Sequence, residues 1–227
     1  MRHKISCIIP AYNEADRIGN VLKVIQRHPL VDEVIVVNDG SKDHTDKVVK
    51  KFKSVRLISY KKNRGKTFAL LKGIKAARNS ILMFIDSDLI GLQPKNITDL
   101  VNPVKSSKAD VSISIKANSL AIFKLLGLDF VSGERVFHKK ILGNINELGK
   151  LTGFGFESFL NEKIIENNLR IKIVAWKNVS HARKSEKIGW VKGTLGEFSM
   201  LLQIIKTIGI SGIFYQNLKM RSLRVIE

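Results

Sequence analysis

An α/β fold with a mostly parallel central sheet, helices on both faces and a C-terminal helical extension is predicted by three features of this 227-residue sequence. Short β-rich apolar runs recur through the first ninety residues, at Ile5–Ile9, Val34–Val37, Val55–Ser59 and Ile81–Ile85. Segments of helical period separate them, and such alternation winds a parallel sheet with right-handed crossovers. The residues able to do chemistry stand at the carboxyl ends of the runs, where open parallel sheets bind ligands.

Each element follows from its local pattern. Ile5–Ile9 is an apolar run that ends at Pro10. Asn13, with Asp16 three residues on, reads as the N-cap of a helix that carries Ile18, Val21, Leu22 and Ile25 at helical spacing. Val34–Val37 is β-branched and is stopped by Asn38-Asp39-Gly40-Ser41, a turn by composition. A helix around Thr45–Phe52, the strand at Val55–Ser59 and a helix from about Lys66 to Ala77 lead to Ile81–Ile85, which ends at Asp86-Ser87-Asp88. Beyond residue 100 the regularity weakens. Val111–Ile115 reads as a strand, Ser119–Leu128 as a helix and Ile171–Trp176 as a late strand. Glu197–Ile208 sets Phe198, Leu201, Leu202, Ile205 and Ile208 on one helical face. No repeat or linker interrupts the chain, so one domain over 1–196 with an amphipathic helical extension over 197–227 is expected.

Composition narrows the class. With 44% hydrophobic and 26% charged residues, the chain has an ordinary globular make-up. A single cysteine, Cys7, excludes a disulfide framework or a thiolate zinc cluster and suits a reducing compartment. The first apolar run is short for a signal peptide, and no apolar stretch reaches the roughly 18 residues of a membrane span, so a cytoplasmic protein is expected. The net charge of +19 is divided evenly between the two halves, although Lys47–Lys66 holds nine basic residues and no acidic one. Such a surface suits a polyanion: nucleic acid, anionic lipid or a phosphorylated small molecule. Ile204–Tyr215, mostly apolar with Lys206 its only charge and followed by Lys219, Arg221 and Arg224, could pack on the core or lie at the inner face of an anionic membrane as a peripheral helix.

Two carboxylates one residue apart, Asp86 and Asp88, on a turn after a buried strand can both face a cavity. Mg²⁺ and Mn²⁺ are held by one or two such groups together with phosphate oxygens. In order along the chain stand Pro10-Ala11-Tyr12-Asn13-Glu14, Val34–Ser41 with Asn38-Asp39-Gly40-Ser41, Asn63-Arg64-Gly65-Lys66, and Phe84–Asp88. Together these resemble the family 2 glycosyltransferases and their relatives with the GT-A fold, over about residues 4–92. The resemblance implies a donor half at about 1–100 and an acceptor half at about 101–196. It implies a nucleotide-sugar pocket framed by Pro10, Ala11, Tyr12 and Glu14, with Asp39 accepting a hydrogen bond from the base. Arg64 and Lys66 would reach the diphosphate, beside Asp86 and Ser87. Asp86 would touch ribose or a metal-bound water, and Asp88 would ligate Mg²⁺ or Mn²⁺. The family often has Asp-Asp before Gly-Ser. Here the first is Asn38.

In the second half, Ser132-Gly133-Glu134-Arg135, Gly153–Glu157 and Val179–Lys184 resemble the acceptor half of glucosyl-3-phosphoglycerate synthases and polyprenyl-phosphate glycosyltransferases. By that likeness Gly133 and Arg135 belong to an acceptor-binding loop, and His181 completes the metal site. Glu157 becomes the candidate catalytic base, with Glu134 in reserve. The expected partners are a nucleotide-diphosphate sugar, UDP- or GDP-linked, and an anionic membrane surface or lipid-linked acceptor, or else a phosphorylated small molecule. A homodimer is compatible with the sequence. Two other readings stay open. A sugar-1-phosphate nucleotidyltransferase would need a Gly-rich, basic N-terminal loop, which Pro10–Glu14 is not. A basic RNA- or membrane-binding module explains the charge but leaves the strand-end carboxylates without a role.

Overall fold

The computed structural model describes residues 4–119, 128–145, 155–182, 209 and 211–225. Their main sheet has seven strands in the order β3-β2-β1-β4-β7-β6-β8. These are β1 (Ile5–Ala11), β2 (Glu33–Asp39), β3 (Val55–Tyr60), β4 (Ile81–Phe84), β6 (Val111–Lys116), β7 (Arg135–His138) and β8 (Ile171–Trp176). β1 lies parallel to both β2 and β4, β2 to β3, and β6 to β8. β7 runs antiparallel to both of its neighbours, β4 and β6. β5 (Leu89–Ile90) and β9 (Ser180–His181) form a separate two-stranded ladder.

β1, β2 and β4 read as continuous apolar runs because both of their faces are covered. One face packs under α1 (Ile18–Ile25), α2 (Thr45–Lys50) and α4 (Pro94–Lys105). The other packs under α3 (Lys66–Ala76) and α5 (Gly155–Glu166). A further helix at 211–222 sets Met220 into this second core. Its Gln216 accepts a hydrogen bond from Asn161 and donates to Ser158 Oγ. The chain after it bridges to the start of β8, where the Ile171 N–H donates to Leu223 O and the Val225 N–H to Ile171 O.

One expectation changes and two elements are added. Asn13 is not a helix cap: it adopts φ +55, its Oδ1 accepts from the Lys42 N–H, and α1 begins only at Ile18. The loops after β1 and β2 are thereby laced together, with the Ala15 N–H donating to Asp43 and the Glu14 N–H to Thr45. Second, α4 is a helix the apolar pattern did not single out. It opens with Pro94 at its first position and a reciprocal Gln93–Asn96 capping box, and it buries Ile97, Leu100, Val101 and Val104. Third, β7 is a four-residue strand inside the sheet. The helix expected at Ser119–Leu128 falls largely on 120–127, outside the described residues. The Glu197–Ile208 helix and the 196/197 boundary lie outside them too.

Candidate active site

Every strand of the first half delivers its carboxyl end to the same edge of the sheet. A cleft of about 330 Å³ opens there, lined by Pro10, Ala11, Tyr12 and Glu14 after β1, Asp39 at the end of β2, and Asp86, Ser87 and Asp88 after β4. Asn63, Gly65, Lys66 and Ala69, from the entry to α3, close the remaining side. Three motifs more than twenty residues apart in sequence thus share one cavity because a parallel sheet puts all its strand ends on one rim.

Asp39 organises the side of the cleft expected to take the nucleotide. It is buried, and its Oδ1 and Oδ2 accept the N–H groups of Arg64 and Gly65, both at 2.8 Å. The Asn63 amide donates to the Asp39 carbonyl at 3.2 Å. Gly40 beside it has φ +68, and a Cβ there would lie 2.6 Å from the Asn63 nitrogen, so only glycine lets the two loops touch. Tyr12 stands at the rim, 42% exposed, while Glu14 is nearly buried and accepts from the Arg17 guanidinium at 3.2 Å.

Arg64 departs from expectation. Its guanidinium stacks on the Phe68 ring at 3.8 Å, and Asn63, its neighbour in the same motif, lines the cleft in its place.

Lys66 is the cation at the centre. Its Nζ lies 2.9 Å from Asp86 Oδ1 and 3.1 Å from Glu157 Oε1. Burial acts to raise the Asp86 pKa, but the Lys66 and Lys116 charges prevail and hold this carboxyl well below the usual range. Lys66 is displaced the opposite way: burial acts to lower its pKa, and the Asp86 and Glu157 carboxylates overcome it.

Both carboxylates expected on the acceptor side are buried. Glu157 is in the first turn of α5, only 2% exposed, and its Oε2 has no hydrogen-bond partner among the described residues. Glu134 is fully buried and accepts from Ser114, Ser132 and Lys116. Neither is among the residues that line this cleft, and Glu157 bears on it through Lys66. Arg135, expected in the acceptor loop, is turned inward. It is 1% exposed, and its guanidinium donates to Ser132 O, Phe130 O and Asn161 Oδ1. Burial lowers its pKa to about 10. The sequence shows these residue types but not that the antiparallel β7 turns them beneath the rim. Gly153 and residues 183–184 lie outside the described residues.

For a metal, the donor chemistry is suitable and the cage is open. Asp86 and Asp88 both line the cleft, and the β5–β9 ladder sets His181 opposite Leu89, with the Ala182 N–H donating to Asp88 O. Asn118 holds the His181 backbone on both sides. Among the described residues no three His, Cys, Asp or Glu side chains gather at ligating distance. One or two carboxylates completed by phosphate oxygens is the habit of Mg²⁺ at nucleotide sites, and this donor set fits it.

The sequence model of Glycosyl transferase family 2 matches residues 6–159. Glucosyl-3-phosphoglycerate synthase of Mycolicibacterium paratuberculosis is 34% identical over 110 residues, 44% of this chain and 33% of that protein. Human dolichyl-phosphate beta-glucosyltransferase is 36% identical over 100 residues, 37% of this chain and 31% of that protein. The chain spans about half or less of the length of the curated relatives it matches. Among solved structures, glucosyl-3-phosphoglycerate synthase of Mycobacterium tuberculosis with Mn²⁺, UDP and glucosyl-3-phosphoglycerate superposes at TM-score 0.71 with 25% identity, covering 92% of this chain and 81% of that one. The same enzyme with Mg²⁺ and UDP gives 0.66 and 26%, over 79% and 72%.

Proposed function

The chain belongs to glycosyl transferase family 2, and from that premise we propose that it moves a sugar from a UDP-linked donor to an acceptor bearing a phosphate, with Mn²⁺ or Mg²⁺ bound. The observation that carries this reading is the convergence of Asp39, Lys66, Asp86 and Asp88 on one cleft at the carboxyl edge of the sheet. In this reading the base lies against Tyr12 and Pro10, near Asp39 and the Asn63 amide. The diphosphate meets the Lys66 ammonium at the start of α3. Asp88, with Asp86 and His181 as further donors, would hold the metal, which when bound supplies positive charge beside the leaving diphosphate. Lys66 neutralises the same charge from the protein side, a fixed cation aimed where negative charge develops. Glu157 and Asp86 keep that ammonium in place.

The choice of UDP follows the solved relatives, which hold UDP with Mn²⁺ or Mg²⁺. A phosphate on the acceptor follows the named relatives, whose acceptors are phosphoglycerate and dolichyl phosphate. The charge of +19 suits either acceptor. We favour a lipid-linked one at an anionic membrane surface. Phe214, Tyr215 and Leu218 are exposed on the 211–222 helix, next to Lys219 and Arg221, and that helix abuts α5 one residue from Glu157. Among the described residues no helix is long and apolar enough to cross a membrane.

The test is a thermal-shift panel of UDP, GDP, CDP, ADP and dTDP, each with Mn²⁺ and with EDTA. A ligand at a hundred times its Kd stabilises the native state by about 2.7 kcal/mol. UDP is expected to raise the melting temperature only with Mn²⁺, and Asp88→Ala to abolish the metal-dependent part. A panel with no response would remove the donor-site reading.

A further inference from the structure

Beneath the cleft, the carboxylates of Asp86, Asp129, Glu134 and Glu157 meet the cations Lys66, Lys116 and Arg135. The donor reading uses Lys66 and Asp86 directly and Glu157 through Lys66. Lys116 and Glu134 do not line the cleft and bear on it from behind Asp86, yet both are buried charges, and a buried ion pair adds little net stability over apolar residues of the same volume. What the pair does is visible in the loop it anchors. Glu134 Oε2 accepts from Lys116 Nζ at 2.5 Å, from Ser132 Oγ at 2.8 Å and from Ser114 Oγ at 2.9 Å. Lys116 is the last residue of β6, its own N–H donates to Ser119 Oγ, and that hydroxyl donates to Asp129. Arg135 ties down the other side of the turn through Ser132 O and Phe130 O.

Between these anchors lies Gly133, whose backbone presses on the donor-site ion pair. A Cβ at Gly133 would lie 2.7 Å from Lys66 Nζ and 2.8 and 2.9 Å from the two Asp86 oxygens. The loop is therefore the rear wall of the Lys66–Asp86 pair, and β7 brings it there by running antiparallel to β4, with Arg135 opposite Phe84.

We propose that Lys116 and Glu134 are a positioning pair for the donor site: they hold Gly133 against Lys66 and Asp86 and so set where the ammonium and the carboxylate stand relative to the diphosphate. The acceptor half thereby fixes the geometry of the donor half. This rests on the donor-site reading above.

The test compares UDP binding in the presence of Mn²⁺, by calorimetry, with the melting temperature of each ligand-free variant. Lys116→Met combined with Glu134→Gln removes both charges together, so no lone buried charge is left. Gly133→Ala leaves the pair intact and moves only the wall. Ser112→Ala, on the same strand but bonded to Leu100 O, is the control for a purely structural change. The expected result is UDP–Mn²⁺ affinity about 10-fold or more weaker in both the double variant and Gly133→Ala, the range seen when supporting contacts of a metal site are lost. The Gly133→Ala melting temperature and the Ser112→Ala affinity should stay close to wild type. Wild-type affinity in Gly133→Ala, or in a folded double variant, overturns the positioning role; if the double variant does not fold, Gly133→Ala alone decides. An affinity loss in Ser112→Ala equal to that of the double variant also overturns it. A wild-type protein that binds no nucleotide would instead remove the donor-site reading, which separates the two failures.

Discussion

Lys66 shows how one side chain can be read in two ways. In sequence it is a member of a nine-cation run, and a solvated face would account for it. In the structure it stands at the amino end of α3, where a helix dipole disfavours positive charge, and two carboxylates at 2.9 and 3.1 Å offset that cost. The displaced pKa values give a signed prediction. Asp86 has a folded-state pKa below its ordinary 3.8, so its ionisation stabilises the fold above that pH, and the contribution is lost as pH falls through the lower folded value. Lys66 has a folded-state pKa above its ordinary 10.5, so its contribution is complete below that pH and fades only as the folded value is passed at the alkaline end. Lys66→Met removes the larger of the two charges acting on Asp86 and leaves Lys116. The acid-unfolding midpoint, followed by circular dichroism from neutral pH downward, is expected to move to higher pH. A midpoint unchanged from wild type would mean that the ion pair is not what keeps Asp86 ionised. Asp39 makes a parallel point: the residue expected to read the base spends both oxygens on the Arg64 and Gly65 backbone N–H groups, joining the two loops.

Elements of the first half are legible in sequence because β1, β2 and β4 are covered on both faces and so read as nearly continuous apolar runs, while the edge strand β3 is only part-buried. α3 is expected over Lys66–Ala77 and is found over Lys66–Ala76; β8 is found with the expected bounds. α4 carries a readable signal, Pro94 at a first helical position followed by Ile97, Leu100, Val101 and Val104, though Pro103 inside it weakens the pattern. β7 had none. Arg-Val-Phe-His is too short for periodicity, and its place between β4 and β6 depends on pairings some fifty and twenty-five residues away. If α4 serves only the core, Leu100→Ala should destabilise by about 2–5 kcal/mol, the cost of a large-to-small change in a packed site. Denaturant unfolding gives that number, and UDP–Mn²⁺ affinity per folded molecule should match wild type. A loss of affinity at equal folded fraction would place α4 in the site.

At the scale of the whole molecule, the charge of +19 is distributed over both halves and is not confined to the cleft, so it serves approach and docking more than chemistry. If the protein works at an anionic membrane, it should sediment with phosphatidylglycerol-containing vesicles at low salt. That binding should fall sharply as salt shortens the Debye length from about 30 Å at 0.01 M to about 8 Å at 0.15 M. Phe214→Ser with Leu218→Ser should weaken the salt-resistant remainder, because those side chains are exposed while Gln216, Asn217 and Met220 face the core. Binding to neutral phosphatidylcholine vesicles equal to that on anionic ones would argue against an electrostatic surface.

Local and ordered features are written in the chain alone: where strands and helices begin in the first half, that their ends carry Pro10–Glu14, Asp39, Lys66 and Asp86–Asp88, and that such a series resembles one family. These follow from period, turn chemistry and spacing, which act over a few residues. Only the tertiary structure decided which polar groups face the cavity and which lie beneath it. Arg64 turned to Phe68, Arg135 and Glu134 went under the rim, and Glu157 reached the site only through Lys66. The reason is that an antiparallel strand set into a parallel sheet presents its amino end where its neighbours present carboxyl ends. The facing of Glu134 and Arg135 is thus set by pairing with strands far away in the chain.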